Sequence, residues 1–242
     1  MAKTAANERL IVALDVDSWD KARALVKCLS GFVGGFKVGM RLYYRAGPEA
    51  LFYLRNQVPV VFADLKLHDI PSTVAGGVRA LVAQGATMLN VHAAGGRAMM
   101  RAARDAAAEE AARLGVQRPK VVAVTVLTSI DDKVLREELG VNNAVEEQVV
   151  AWAQMARECG LDGVVASPWE AESVRKACGR DFLIITPGVR PAGSAVGDQK
   201  RVMTPAEAVR AGADYIVVGR PVIAGADPVK ALTEILASLE PE

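Results

Sequence analysis

Short runs of apolar residues alternate with longer stretches in which apolar positions recur at helical spacing, and this alternation continues along the whole chain. The short runs predict strands over residues 10–14, 32–38, 58–65, 88–92, 121–127, 163–166, 182–186 and 215–218. Between them, helical spacing covers 19–29, 41–55, 71–84, 97–114, 144–159 and 169–177. Punctuation agrees with these bounds. Ser18 is placed as an N-cap, and Gly85, Gly115 and Gly160 sit where helices should end. Thr204-Pro205-Ala206-Glu207 reads as a cap, a proline at the first helical position and a capping-box glutamate.

Eight strands alternating with helices in 242 residues predict one parallel (β/α)8 TIM barrel. A doubly wound open sheet is the alternative. Against it, no strand runs into a G-x-G-x-x-G turn; Gly34-Gly35, Gly76-Gly77 and Gly95-Gly96 do not fit that fingerprint. Low-complexity tracts and interdomain linkers are missing from the sequence, so residues 1–242 are expected to form a single α/β domain, with 1–8 a loose N-terminal extension.

The polar exceptions to the apolar pattern gather at the carboxyl ends of the strands, where a barrel keeps its chemistry. Strand 1 ends in Asp15 and Asp17, strand 2 delivers Lys37, and strand 3 delivers Asp64 and Lys66, then Asp69. Alternation along a strand puts Asp64 and Lys66 on one side. Acid, base and acid within six residues of a buried run is unusual, because unpaired buried charge is costly. A surface salt-bridge ladder is the bland alternative for that stretch. Asp17 reads as helix-start decoration, Thr125 as facing the core or a neighbouring helix, and His92 as making a satisfied hydrogen bond near the mouth rather than acting in catalysis. At the far side, Val217-Val218-Gly219-Arg220-Pro221 offers a glycine for close approach and an arginine for a dianion. It follows a long loop over 188–201, rich in glycine and small polar residues. Together they suit a phosphate at the last two βα units; a helix-start turn with a surface arginine is the competing reading.

Composition mostly excludes. Formal net charge is +1, and Arg97, Arg101 and Arg104 are followed by Asp105, Glu109 and Glu110, so they make a solvated helix face and no nucleic-acid footprint. Cys28, Cys159 and Cys178 lack paired spacing and read as free thiols, while His68 and His92 lack zinc-ligand spacing. Residues 1–8 carry no apolar signal core, and no run reaches membrane-spanning length. The expectation is a soluble, cytoplasmic protein with no membrane partner and no resident metal.

At this point the sequence resembles a family. Ala63-Asp64-Leu65-Lys66-Leu67-His68-Asp69-Ile70-Pro71, Val12-Ala13-Leu14-Asp15, Phe36-Lys37-Val38-Gly39, Thr186-Pro187-Gly188-Val189-Arg190 and Val218-Gly219-Arg220-Pro221 together look like orotidine 5′-monophosphate decarboxylase of the bacterial type. These motifs occur in order and span nearly the whole chain. The resemblance implies a cofactor-free decarboxylation of orotidine 5′-monophosphate to uridine 5′-monophosphate, the last step of de novo pyrimidine nucleotide synthesis. It implies that Lys66 is the proton donor to C6, that Asp64 faces the substrate carboxylate, and that Lys37 and Asp15 hold the ribose and the charge network. Asp69, Ile70 and Thr73 would reach into the neighbouring subunit's site, making the working unit a homodimer. Thr128 would meet the pyrimidine edge, and Gln199 would bridge base and phosphate. Pro187, Arg190, Gly219 and Arg220 complete the implied substrate contacts, the last three at the phosphate.

Two rival functions remain at this stage. Metal-dependent sugar-phosphate decarboxylases or aldolases share the D-x-K-x-x-D element, but in them an acid at the position of Lys37 helps to bind magnesium, and a lysine there would repel the ion. A non-catalytic phosphate-binding barrel would be expected to show a broken charge network.

Overall fold

The computed structural model describes residues 5–190 and 203–239. Its strands are β1 (Leu10–Ala13), β2 (Gly35–Gly39), β3 (Val60–Leu67), β4 (Met88–His92), β5 (Lys120–Val124), β6 (Gly163–Val165), β7 (Leu183–Thr186) and β8 (Tyr215–Val218). Each pairs in parallel with its sequence neighbour, and β1 closes on β8 through Leu10↔Ile216, Ile11↔Val217 and Val12↔Val218. Closure settles the choice between the two α/β architectures in favour of the (β/α)8 barrel.

Both faces of this sheet are covered, which is why the strands read as continuous apolar runs and not as alternating ones. One set of side chains points outward to the helices: Leu10, Val12, Phe36, Val38, Val61, Leu89, Val121 and Val164 belong to the core between sheet and helices. The other set fills the barrel itself, where Ile11, Ala13, Phe62, Met88, Val122, Ile185 and Val217 pack together. The interior is tight at its lower end. A Cβ on Gly35 would stand 2.2 Å from the Val60 carbonyl oxygen, so only glycine lets β2 and β3 approach there.

The helices match the periodicity most closely where they are long: Trp19–Leu29 forms as expected, capped by Ser18, whose side chain accepts from the Lys21 N–H. Pro71–Ala83, Gly96–Leu114 and Val145–Glu158 differ from expectation by a residue or so at their ends. The single helix expected over 41–55 is instead two, Met40–Ala46 and Glu49–Leu54. Gly47 breaks it with φ of 65°, and Pro48 follows, so neither hydrogen-bond ladder can run through. Asp132–Glu137 and Pro228–Ala237 lie beyond the helical stretches read from the sequence, while Arg220–Ile223 forms the helix start named as the competing reading of Gly219-Arg220.

The amino ends of the strands carry structural ion pairs. Asp162 accepts from both terminal nitrogens of Arg118 and from the Val121 N–H, and Arg175 reaches Asp214 at 2.6 Å while also donating to the carbonyls of Gly179, Phe182 and Gly212. Polar clusters at this end of a barrel serve stability. Among the described residues, no helix is long and apolar enough to cross a membrane.

Candidate active site

Two inward side chains on neighbouring strands interrupt the apolar filling with charge: Lys37 on β2 and Asp64 on β3. A third, Asn90 on β4, interrupts it with an amide. All three are buried. Lys37 Nζ lies 2.9 Å from Asp64 Oδ2 and 3.2 Å from Asp15 Oδ1, while Lys66 Nζ stands 2.6 Å from Asp64 Oδ1. One carboxylate is thus held between two ammonium groups. Asp15, at 45% side-chain exposure against 10% for Asp64, marks the rim, and Asp64 marks the floor.

Burial alone would push the Asp64 carboxyl up, but Lys37 and Lys66 outweigh it and hold it below its ordinary 3.8. The same balance acts on Lys37: burial pulls the ammonium down, and Asp64 and Asp15 more than restore it, leaving it above 10.5. A surface ladder would not show this, so the bland reading of the Asp64–Asp69 stretch fails for Asp64 and Lys66.

Lys66 is set by an irregularity that alternation could not reveal. Its φ is 53°, and it alone among the described non-glycine residues has positive φ. The β3–β4 register shifts between Ala63 and Leu67, so the strand bulges there. Such a conformation costs a side-chain-bearing residue on the order of 1 kcal/mol. The Lys66 N–H, removed from the ladder, donates to Asn90 Oδ1 at 2.8 Å.

These groups open into a cleft of about 530 Å³, lined further out by Thr128, Pro187, Gly188, Arg190, Gly219 and Arg220. Gly188 adopts φ of 80°, which lets the chain turn after β7. The Arg190 N–H then donates to the Met203 carbonyl at 2.9 Å. Gln199 and most of the 188–201 loop lie outside the described residues. Asp69, Ile70 and Thr73 do not line this cleft. All three are exposed: the Asp69 carboxylate accepts from the Ile70 N–H, Ile70 is 64% exposed, and Thr73 lies in the first turn of the helix Pro71–Ala83.

Thr125 is buried, and its hydroxyl donates to the Val165 carbonyl on the adjacent strand. His92 packs against His68, with ring centroids 5.3 Å apart. Burial, then His68 and Lys66, bring its pKa down to about 4, so it is neutral at neutral pH. Asp17, set aside from the sequence, pairs with Arg41 at 2.9 Å and with Arg45, and Arg41 donates to the Asp15 carbonyl at the cleft's edge. The sequence reading missed Asn90, Arg41 and Ser167, the last a fully buried residue lining the cleft. A lone amide inside the apolar run Met88-Leu89-Asn90-Val91 was the available signal for the first.

A parallel barrel with an Asp–Lys network on its floor and an open polar mouth defines a (β/α)8 protein of the enzyme-bearing kind. The model of the orotidine 5′-phosphate decarboxylase / HUMPS family matches residues 8–235, and the chain belongs to that family. It is 56% identical over 240 residues to an orotidine 5′-phosphate decarboxylase of Moorella thermoacetica, covering 99% of this chain and 95% of that one. A decarboxylase of the same name from Syntrophomonas wolfei is 50% identical, covering 97% and 99%. The crystal structure of orotidine 5′-phosphate decarboxylase from Lactobacillus acidophilus superposes with a TM-score of 0.84 at 40% identity, covering 96% of this chain and 99% of that one.

Proposed function

We propose that this chain is a carboxy-lyase that converts orotidine 5′-monophosphate to uridine 5′-monophosphate without a cofactor, closing de novo pyrimidine nucleotide synthesis. The observation that carries the proposal is the Asp64 carboxylate gripped between the Lys37 and Lys66 ammonium groups at the base of a nucleotide-sized cleft.

The chemistry asks for such an arrangement. When the C6–carboxylate bond breaks, CO2 departs and leaves its electron pair in the plane of the pyrimidine ring, where the π system cannot accept it. A cation must meet that charge as it develops, and a proton must follow. The Lys66 ammonium provides both: its proton goes to C6, and solvent reprotonates the amine. Asp64, close to the leaving carboxylate, disfavours the bound substrate more than the transition state. Lys37 and Asp15 hold the ribose, Thr128 the pyrimidine edge, and Arg190, Gly219 and Arg220 the phosphate, with Pro187 beside them and Gln199 bridging base and phosphate. Phosphate contacts remote from C6 contribute to the chemical step by fixing the ring over Lys66.

The test is a spectrophotometric assay of purified protein with orotidine 5′-monophosphate and a chelator. Conversion to uridine 5′-monophosphate is the expected result. No conversion, with phosphate ligands still bound, would move the assignment to a metal-dependent barrel or a binding protein. Lysine at position 37 speaks against the metal site.

The working unit under this reading is a cytoplasmic homodimer in which Asp69, Ile70 and Thr73 enter the partner's cleft. Their exposure on this chain, and their absence from its own cleft, support that arrangement. Lys66→Ala and Asp69→Ala chains are each expected to be nearly inactive. Mixed and allowed to exchange, they should recover roughly a quarter of the wild-type activity, because half of the dimers are hybrids with one intact site. Confirmed exchange with no recovery would defeat the shared site.

A further inference from the structure

We infer that Asn90 is a positioning residue for this site, holding the Lys66 backbone and the Asp64 carboxylate together in the arrangement that decarboxylation uses. The inference rests on the proposed decarboxylase reading for its kinetic expression, though not for its geometry.

Asn90 lies on β4, faces the barrel interior and is 1% exposed. Its Oδ1 accepts from the Lys66 N–H at 2.8 Å, and its Nδ2 donates to Asp64 Oδ1 at 2.7 Å. That same oxygen faces Lys66 Nζ at 2.6 Å. The orientation of the amide is fixed by chemistry, since a backbone N–H only donates and a carboxylate only accepts. One side chain therefore spans the bulge, satisfying the N–H that the register shift removed from the ladder and fixing the oxygen against which the lysine is aimed.

Few residues can do this. Leucine fills the volume but leaves a buried N–H without an acceptor and Asp64 one donor short. Serine is too short to span both groups. Aspartate accepts from Lys66 but, when ionised, sets a second carboxylate against Asp64. When protonated, aspartate restores the whole pattern: one oxygen accepts from the N–H while the O–H donates to Asp64.

This makes Asn90→Asp a discriminating variant. The groups facing position 90 are Asp64 and Lys66 on β3, Lys37 on β2 with Asp15 behind it, and His92 on the same strand with His68 packed on it. On the other side β5 presents only Val122 and Val124. All of these are shared with the wild type, so the ratio of variant to wild-type kcat at each pH isolates the new carboxyl. Burial and the like charge of Asp64 raise the pH at which it ionises, against the opposing pull of Lys66 and Lys37. The ratio should fall at least about tenfold between roughly pH 5 and pH 8, while affinity for uridine 5′-monophosphate stays within about threefold. Asn90→Leu should lose about a hundredfold in kcat at every pH, with the same small change in product affinity.

A flat ratio for Asn90→Asp, or an Asn90→Leu enzyme with wild-type kcat, would overturn the inference. A wild-type protein that fails to decarboxylate the substrate would instead overturn the functional reading. In that case a crystal structure of Asn90→Leu decides the positioning claim. Lys66 leaving positive φ and its Nζ parting from Asp64 would support it; an unchanged Lys66 would refute it. Should Asn90→Leu not fold, the same comparison is made on Asn90→Asp crystals grown at low and high pH.

Discussion

Replacing Lys66 with alanine is expected to lower kcat by on the order of ten-thousandfold or more while leaving affinity for uridine 5′-monophosphate close to wild type. Proton delivery by a positioned side chain is worth roughly 10²–10⁴ in rate, and a preorganised charge at a developing anion roughly 10²–10³. Lys66 is asked for both at one carbon. The proposed phosphate end of the cleft is built from other elements, Arg190 following β7 and Arg220 opening the helix after β8, and should keep its grip. Single-turnover assays at high enzyme concentration would measure the loss, and a variant within tenfold of wild type would remove Lys66 from the role of proton donor. Lys66→Arg separates the two contributions. Arginine keeps a positive charge but does not release its proton, so it should recover little of the rate.

The second large effect is expected at Asp64, and it should appear in stability as well as in rate. Alanine there leaves two ammonium groups facing a cavity, with Lys37 keeping only Asp15 and Lys66 losing its carboxylate. Breaking a buried pair by removing one partner typically costs about 3–5 kcal/mol, far more than an exposed pair would. Denaturant melts should show a lower midpoint with little change in slope, and kcat should fall at least about a hundredfold. Asp64→Asn, which keeps the shape and some hydrogen bonds, should lie between. A melt within about 1 kcal/mol of wild type would mean that the network is solvated in the free protein.

The same groups set the pH range of this stabilisation. Asp64 is depressed below 3.8, so its contribution is present above that ordinary value and is lost as pH falls through the lower, folded one. Lys37 is raised above 10.5, so its contribution is present below that value and is lost as pH rises through the folded one.

The sequence revealed those features that rest on repetition or on chemical oddity. The barrel followed from alternating short and long apolar periods, and Asp15, Lys37, Asp64 and Lys66 stood out because each is a charge at the end of an apolar run. What it hid was of two kinds. The helix break at Gly47-Pro48 was within reach of the usual signals but was masked by apolar spacing that continues across it. The bulge at Lys66 was beyond reach, because nothing in Asp64-Leu65-Lys66 announces positive φ on a lysine; the group that accepts its displaced N–H, Asn90, lies across the sheet. Asn90 itself carries no charge and sits in a run that otherwise looks like plain core. Its importance comes from what it spans, and a linear reading cannot see a span. Asp69 shows the opposite case: its motif was legible, yet it is exposed and does not line the cleft of its own chain.

The left-handed backbone at Lys66 means that the replacements of this lysine are not equal in durability. Glycine would sit there without steric penalty, and Lys66→Gly should outlast Lys66→Ala by about 1 kcal/mol while being equally inert. Once the ion pair with Asp64 is given up, the backbone alone therefore selects glycine over any residue that carries a side chain.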